Sequence, residues 1–276
     1  MNPLIIGTLT SNLSWDHCKY WVKSINRSGY NGKKLLVLFG KNDDLSNRLR
    51  DNDFIVEEFR QLDQHEHVCV TRFFLYYAIL QQRKEDFVIA TDVTDVIFQS
   101  DPIKFLEDSH ISTDRILASS ENIRYQDEAW GAQNIKLAFG EPGYERVKHN
   151  IINNAGVIAG PTKLMQDLFY TAYTICESRP QHVPGGGGSD QAAYNLLMST
   201  SPYIKSTYFV SHDVGWACQT GTVADPLKDY SKVTIDAAPR LDDGLIKTSY
   251  GKDFCIVHQY NRNPQWKKVI EEKYND

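Results

Sequence analysis

The sequence predicts an α/β fold, a sheet flanked by helices, in a single domain. Three observations point to it. From the N-terminus to the first acidic cluster, apolar runs of strand length alternate with longer polar or amphipathic stretches, as in a chain that crosses a sheet and returns through helices. One run, Phe87–Ala90, is apolar without period-2 alternation, the mark of a central strand covered on both faces. Asp92 and Asp95 follow that run at once, and the carboxyl ends of strands are where open α/β sheets bind their ligands.

A chain of 276 residues holds either one large α/β domain or two small ones, and the continuous alternation favours one. A formal charge of −5 argues against attraction to a nucleic-acid backbone, so a small ligand is expected. The five cysteines, Cys18, Cys69, Cys176, Cys218 and Cys255, are scattered with no CxxC pair and read as reduced core residues. Pro3 and Gly7 bracket only three apolar residues with no basic region before them, unlike a signal peptide. No stretch approaches the roughly 20 apolar residues that cross a bilayer. A soluble, cytoplasmic protein with no transmembrane segment is the expectation.

Leu4–Leu9 reads as the first strand, breaking at Thr10-Ser11-Asn12 into a helix from about Ser14 to Asn26. Leu35–Phe39 and Phe54–Phe59 read as further strands around one short helix in KNDDLSNRLRDND. Val68–Gln82 is the strongest helix signal, apolar on most sides and therefore packed between layers. Arg115–Ser119 reads as a strand. The polar, aromatic, Gly- and Pro-containing ENIRYQDEAWGAQNIKLAFGEPGYE reads as a long loop over a site. Ile151–Gly160 reads as a strand, with Thr162 as N-cap of a helix that runs to about Ser178 and ends before Pro180. Gly185–Gly188 leads to a short helix, AAYNLLM, capped by Ser189 or Asp190. Tyr208–Val210 and Phe254–Val257 read as late strands, the second ending in HQYNRNPQW.

Residues three apart on a straight strand point to opposite faces, so Asp92 and Asp95 converge only if the chain turns after Thr91. Carboxylates brought together repel, and a divalent cation with oxygen ligands removes the repulsion. The pair is therefore a candidate metal site for a phosphorylated ligand, the alternative being an acidic turn that ends a strand.

In chain order, the acidic strand end, the NNAG segment, the SDQAAYN segment and HQYNRNPQW together resemble glycosyltransferases of the GT-A fold, most closely the glycogenin-like family 8 type. That group carries a DxD after a strand, an Asn-Ser/Ala-Gly strand, a DQ at a helix start and a late His before a Pro-Trp pair. The counterparts are Asp92 and Asp95, Asn154-Ala155-Gly156, Asp190-Gln191, and His258 with Pro264 and Trp266. Arg72 matches an arginine on the helix before the metal strand. The match runs from about Thr71 onward, with two departures: DxxD stands for DxD, and no glycine follows His258. Because VIFQSDP follows Asp95 as in those enzymes, Asp95 is the firmer ligand.

The resemblance implies a Rossmann-like mixed sheet, with residues 1–120 binding the nucleotide and 121–276 carrying acceptor and catalytic functions. It implies transfer of a sugar from a UDP-linked donor (glucose, galactose or xylose) to a glycan or glycoconjugate, with Mn²⁺ or Mg²⁺ as cofactor, in a bacterial or virus-encoded enzyme. Asp92, Asp95 and His258 would hold the metal, since carboxylate, imidazole and phosphate together suit Mn²⁺. Arg72 would hold the diphosphate or a sugar hydroxyl; Thr8 and Thr10, ending the first strand, would lie beside the base; Asn154 and Gln191 would contact the donor. Asp190 is the candidate catalytic residue, and a helix cap otherwise. Tyr125, Trp130 and Trp216 are candidates for stacking on sugar rings. Asp127 and Glu128 are the alternative bases. Two other classes compete: a haloacid-dehalogenase-like phosphohydrolase using Asp242-Asp243 as its later acidic pair, and a non-catalytic nucleotide or sugar binder. The three-residue spacing of Asp92 and Asp95, far from the N-terminus, speaks against the first.

Overall fold

In the computed structural model, which describes residues 1–275, the alternation read in the N-terminal third forms in register. β1 (Pro3–Thr10) leads through a short 3₁₀ turn to α1 (Lys19–Arg27), then β2 (Lys33–Phe39), α2 (Asp43–Asp51), β3 (Ile55–Phe59), α3 (Val68–Leu80) and β4 (Phe87–Thr91). Strands in this segment pair in parallel, β2 with both β1 and β3, and β1 with β4. α2 begins at an N-cap, Asn42, whose side chain accepts a hydrogen bond from Leu45 N.

β4 ends at Thr91, the turn that the two carboxylates require. A short β5 (Val96–Phe98) and α4 (Pro102–Asp108) follow, with Asp101 capping Ile103 N at 2.8 Å and Pro102 in the first turn. β6 (Ile116–Arg124), α5 (Ala129–Val147), β7 (Ile151–Pro161), α6 (Thr162–Glu177), α7 (Asp190–Met198) and β8 (Thr207–Val210) complete the main body. The seven-stranded sheet runs β3-β2-β1-β4-β7-β6-β8. Only β7 is antiparallel to its neighbours, β4 and β6. The last segment adds β9 (Ala217–Gln219), α8 (Thr220–Val223), a hairpin of β10 (Arg240–Asp242) and β11 (Leu245–Lys247), β12 (Ile256–His258) and α9 (Pro264–Asn275). A second sheet, β5-β12-β9, ties this segment back to the residues just after the acidic turn.

Alternate side chains of the sheet feed two cores. Ile5, Leu36, Leu38 and Ile89 meet Trp21, Ile25 and Leu45 from α1 and α2, whereas Leu4, Ile6, Val37 and Val88 meet Phe73, Tyr76, Met165 and Phe169 from α3 and α6. All five β4 residues are buried, as its unbroken apolar run requires. α3 and α6 pack side by side on one face of the sheet, with Phe73 stacked on Phe169 at 5.4 Å between ring centroids. All five cysteines are free and four are buried. No helix among the described residues is long and apolar enough to cross a membrane.

Two expectations are corrected. The segment read as a long loop is largely helical: Glu128 caps α5 through Trp130 N and Gly131 N, and Ile135 and Ala138 pack inward. Its Gly and Pro mark a junction within α5, where Gly140 takes φ +70° and Pro142 lies in the turn that restarts the helix. Thr162 is not the cap of α6; its hydroxyl donates to Glu85 O at 2.7 Å, and Pro161 holds the cap position. Residues 120 and 121, the expected junction of the nucleotide-binding and catalytic parts, both lie inside β6.

Candidate functional site

β4 delivers Asp92 and Asp95 to the carboxyl edge of the sheet, and the small sheet delivers the rest. β12 pairs with β5 so that His258 lies opposite Val96, next to Asp95, while β9 places Gln219 opposite His258 on the other side. His258 Nε2 lies 3.3 Å from Asp92 Oδ2 and 3.5 Å from Asp95 Oδ1. One ligand atom from each of the three residues falls within 4.8 Å of the others. Asp92 N donates to Gly156 O at 2.9 Å, which anchors the turn to β7. Gly156 explains the glycine of the NNAG segment: a Cβ there would collide with the His258 ring and the Asp92 carboxylate.

The donor set fits a divalent cation. Gln219 Oε1 carries no proton, so at 2.7 Å it accepts a hydrogen bond from His258 Nδ1. This fixes the tautomer with the Nε2 lone pair facing the two carboxylates. Nε2 is buried without a hydrogen-bond partner. Three lone pairs converging on one point repel unless a cation lies among them, and one imidazole with two carboxylates is a set of ligands that a divalent cation can use. Burial lowers the pKa of His258, but the carboxylates of Asp95 and Asp92 outweigh it and hold the imidazole above its usual value. A cation at this point takes the place of that proton.

Arg72, buried on α3, links this cluster to the rest of the cleft. Its Nη1 pairs with Asp92 Oδ1, and its Nη2 donates to Asp190 Oδ2 at 3.2 Å and to Ala155 O at 3.3 Å. Burial acts to raise the Asp92 pKa, yet the Arg72 guanidinium and His258 overcome it and hold the carboxyl well below its usual range. Asp95 and Asp190 go the other way, both raised chiefly by burial. Ser189 occupies the cap position of α7 without a capping side-chain bond, and Asp190, in the first turn, points to Arg72.

Two cavities flank the cluster. A cleft of about 430 Å³ is lined by Asp92, Asp95, Asp190, Gln191, Asn154 and His258, with Trp130 and Gly185–Gly187 at its side. Those glycines take φ of +86°, +93° and +86°, and Trp130 Nε1 donates to Pro184 O at 3.0 Å, fixing the indole beside them. On the other side of Asp92 and Arg72 lies a cleft of about 250 Å³ that includes Thr8 and Thr10. Thr8 Oγ1 there donates to Tyr76 OH at 2.6 Å.

The fold thus gathers Asp92, Asp95, Asn154, Asp190, Gln191 and His258 around one cleft, with Thr8, Thr10 and Arg72 lining the adjoining one, which shares Asp92. Asn154 and Gln191 serve chiefly to position others. Asn154 Nδ2 and Gln191 Nε2 both donate to Glu121 Oε1, at 2.7 and 3.0 Å, and Thr222 Oγ1 donates to Glu121 Oε2 at 3.0 Å. Trp216 does not reach the cleft; it is fully buried and packs on Phe105. Tyr125 is also buried, in the core of α5 and β6. Glu128 lines the cleft, where Tyr230 OH donates to it at 2.9 Å. Asp242 and Asp243 belong to the β10–β11 hairpin and pair with Lys247 at 3.0 and 3.9 Å. The sequence reading missed Glu121, Gln219, Lys228 and Arg262, of which Glu121, Lys228 and Arg262 line the cleft. A signal existed for Glu121: a carboxylate inside a strand of apolar and small residues needs buried donors. Neither a family model nor a curated protein matches the chain.

Proposed function

We propose that the chain is a metal-dependent glycosyltransferase that moves a sugar from a nucleotide-sugar donor, UDP-linked, to a carbohydrate or glycoconjugate acceptor in the cytoplasm. The observation that carries this reading is the orphaned His258 Nε2 aimed at Asp92 and Asp95, at a strand end between two clefts. The two clefts share Asp92, so a nucleotide sugar can lie across both with its diphosphate at the metal cluster. The cleft of Thr8 and Thr10 is the place for the base and ribose, and the larger cleft the place for the donor sugar and the acceptor.

In this reading Asp92, Asp95 and His258 Nε2 hold the cation, which neutralises the charge that builds on the diphosphate leaving group. Lys228 and Arg262 supply further positive charge to the same cleft. Arg72 holds Asp92 and Asp190 in fixed positions from below. Asp190 accepts a hydroxyl of the donor sugar or a proton near the reacting carbon. The Trp130 indole, fixed by Pro184 O, offers a face on which a sugar ring can stack.

The test is a thermal-shift and turnover panel with UDP-glucose, UDP-galactose and UDP-xylose, with and without Mn²⁺. UDP with Mn²⁺ raises Tm and AMP does much less, because only a ligand of the native state stabilises it by RT ln(1 + [L]/Kd). Asp95→Ala removes the Mn²⁺-dependent shift and the turnover while the far-UV spectrum stays native. Equal shifts for UDP and AMP, or full turnover by Asp95→Ala, would overturn the reading.

A further inference from the structure

We infer that His212, Asp213 and Asp236 form a second divalent-cation site, separate from the cleft, that takes a transition metal of the zinc class. One ligand atom from each of these residues lies within 4.8 Å of the others. His212 carries the argument. It is 1% exposed, and both of its ring nitrogens are buried without a hydrogen-bond partner. A neutral imidazole has one N–H to donate and one lone pair to offer, and leaving both unused in the interior is unfavourable. Its ring packs on Phe254 at 4.8 Å between centroids, which holds it in place while leaving its nitrogens unserved. A metal on one nitrogen removes the lone-pair cost.

The neighbours are oriented for the same purpose. Asp213 follows His212 in a short 3₁₀ turn that Gly215 ends at φ +81°, so both side chains leave one tight bend. Ser249 Oγ, a neutral donor, lies 3.4 Å from Asp213 Oδ1. Asp236 is brought in by a backbone clamp: Asp236 N donates to Asn122 Oδ1 at 2.7 Å, and Asn122 Nδ2 donates to Asp236 O at 2.9 Å. Asn122 is fully buried inside β6 at φ +63°, a conformation asparagine tolerates better than most residues. One imidazole with two half-buried carboxylates, the fourth position left to water, is a donor set for Zn²⁺.

The test uses the full chain, without an affinity tag, stripped with a chelator and reloaded with Zn²⁺ alone; bound zinc is counted after gel filtration. Asp95→Ala disables the cleft cluster, so the count in that variant reports the second site by itself. The inference expects about one equivalent in Asp95→Ala and none in Asp95→Ala/Asp236→Asn. Co²⁺ in place of Zn²⁺ gives an independent reading, an absorption band in Asp95→Ala that Asp236→Asn removes. Asp236 is half-buried, so Asp236→Asn spares the core that His212→Asn would disturb. No zinc in Asp95→Ala, or a zinc count and Co²⁺ band that Asp236→Asn leaves unchanged, overturns the inference. Neither result depends on whether the cleft transfers sugars.

Discussion

Gln219 Oε1 accepts a hydrogen bond from His258 Nδ1 at 2.7 Å, across two strands whose members are 39 residues apart in the chain. That bond decides which imidazole nitrogen faces Asp92 and Asp95. Gln219→Leu keeps the volume but removes the acceptor, leaving the ring free to take the wrong tautomer. Mn²⁺ affinity, read by titration calorimetry, is expected to fall by about 10- to 100-fold with the fold retained. Unchanged affinity would show that Gln219 only fills space.

Asp190→Asn keeps the shape of the first turn of α7 but removes the charge that meets Arg72 Nη2 at 3.2 Å. If the carboxylate acts near the reacting carbon, kcat falls by roughly 10²-fold or more while UDP binding stays near native. Turnover and UDP affinity are to be measured on one preparation. Native turnover would move the search to Glu128, whose carboxylate lines the same cleft.

Arg72→Met replaces the buried guanidinium with an apolar chain of similar length, stranding Asp92 and Asp190 without their cation. Removing one partner of a buried charge group costs about 3–5 kcal/mol. Urea unfolding of the metal-free protein checks this as a lower midpoint. The double variant Arg72→Met/Asp190→Asn, with one fewer stranded charge, recovers part of the loss.

Glu121 governs a pH effect. Burial raises its pKa above the ordinary 4.5, despite the hydrogen bonds from Asn154, Thr222 and Gln191. Between 4.5 and the raised native value the folded chain binds more protons than the unfolded one, so stability falls as pH rises through that window and is unaffected below it. Glu121→Gln, which does not titrate, flattens this part of the stability–pH curve. Denaturant midpoints at stepped pH, native against variant, give the comparison; parallel curves would remove Glu121 as the cause.

What the sequence revealed follows physical range. The apolar run of β4 and the strand–helix alternation before it are local patterns, and they appear where they were expected. Asp92 and Asp95 were legible as a pair because one turn after Thr91 brings them together. The three-residue strands β5, β9 and β12 are too short to carry a period, so the partnership of His258 with Gln219 could not be read. α5 was read as a loop because Gly140 and Pro142 are breakers in isolation, whereas here they join two helical stretches. Glu121 gains its meaning only when Asn154, Gln191 and Thr222 arrive from β7, α7 and α8.

β7 has a consequence for how such a protein can be inherited. It joins β4 to β6 by antiparallel pairing on both sides, although it lies after β6 in the chain, and Arg72 spans the same junction to reach Asp190. A recombination event that exchanged the N-terminal portion for that of another protein of the same fold would bring a new β4 against an old β7. It would also bring a new arginine against an old carboxylate. Ligand preference in a chain of this design therefore changes with less disruption by point substitution in the clefts than by exchange of halves.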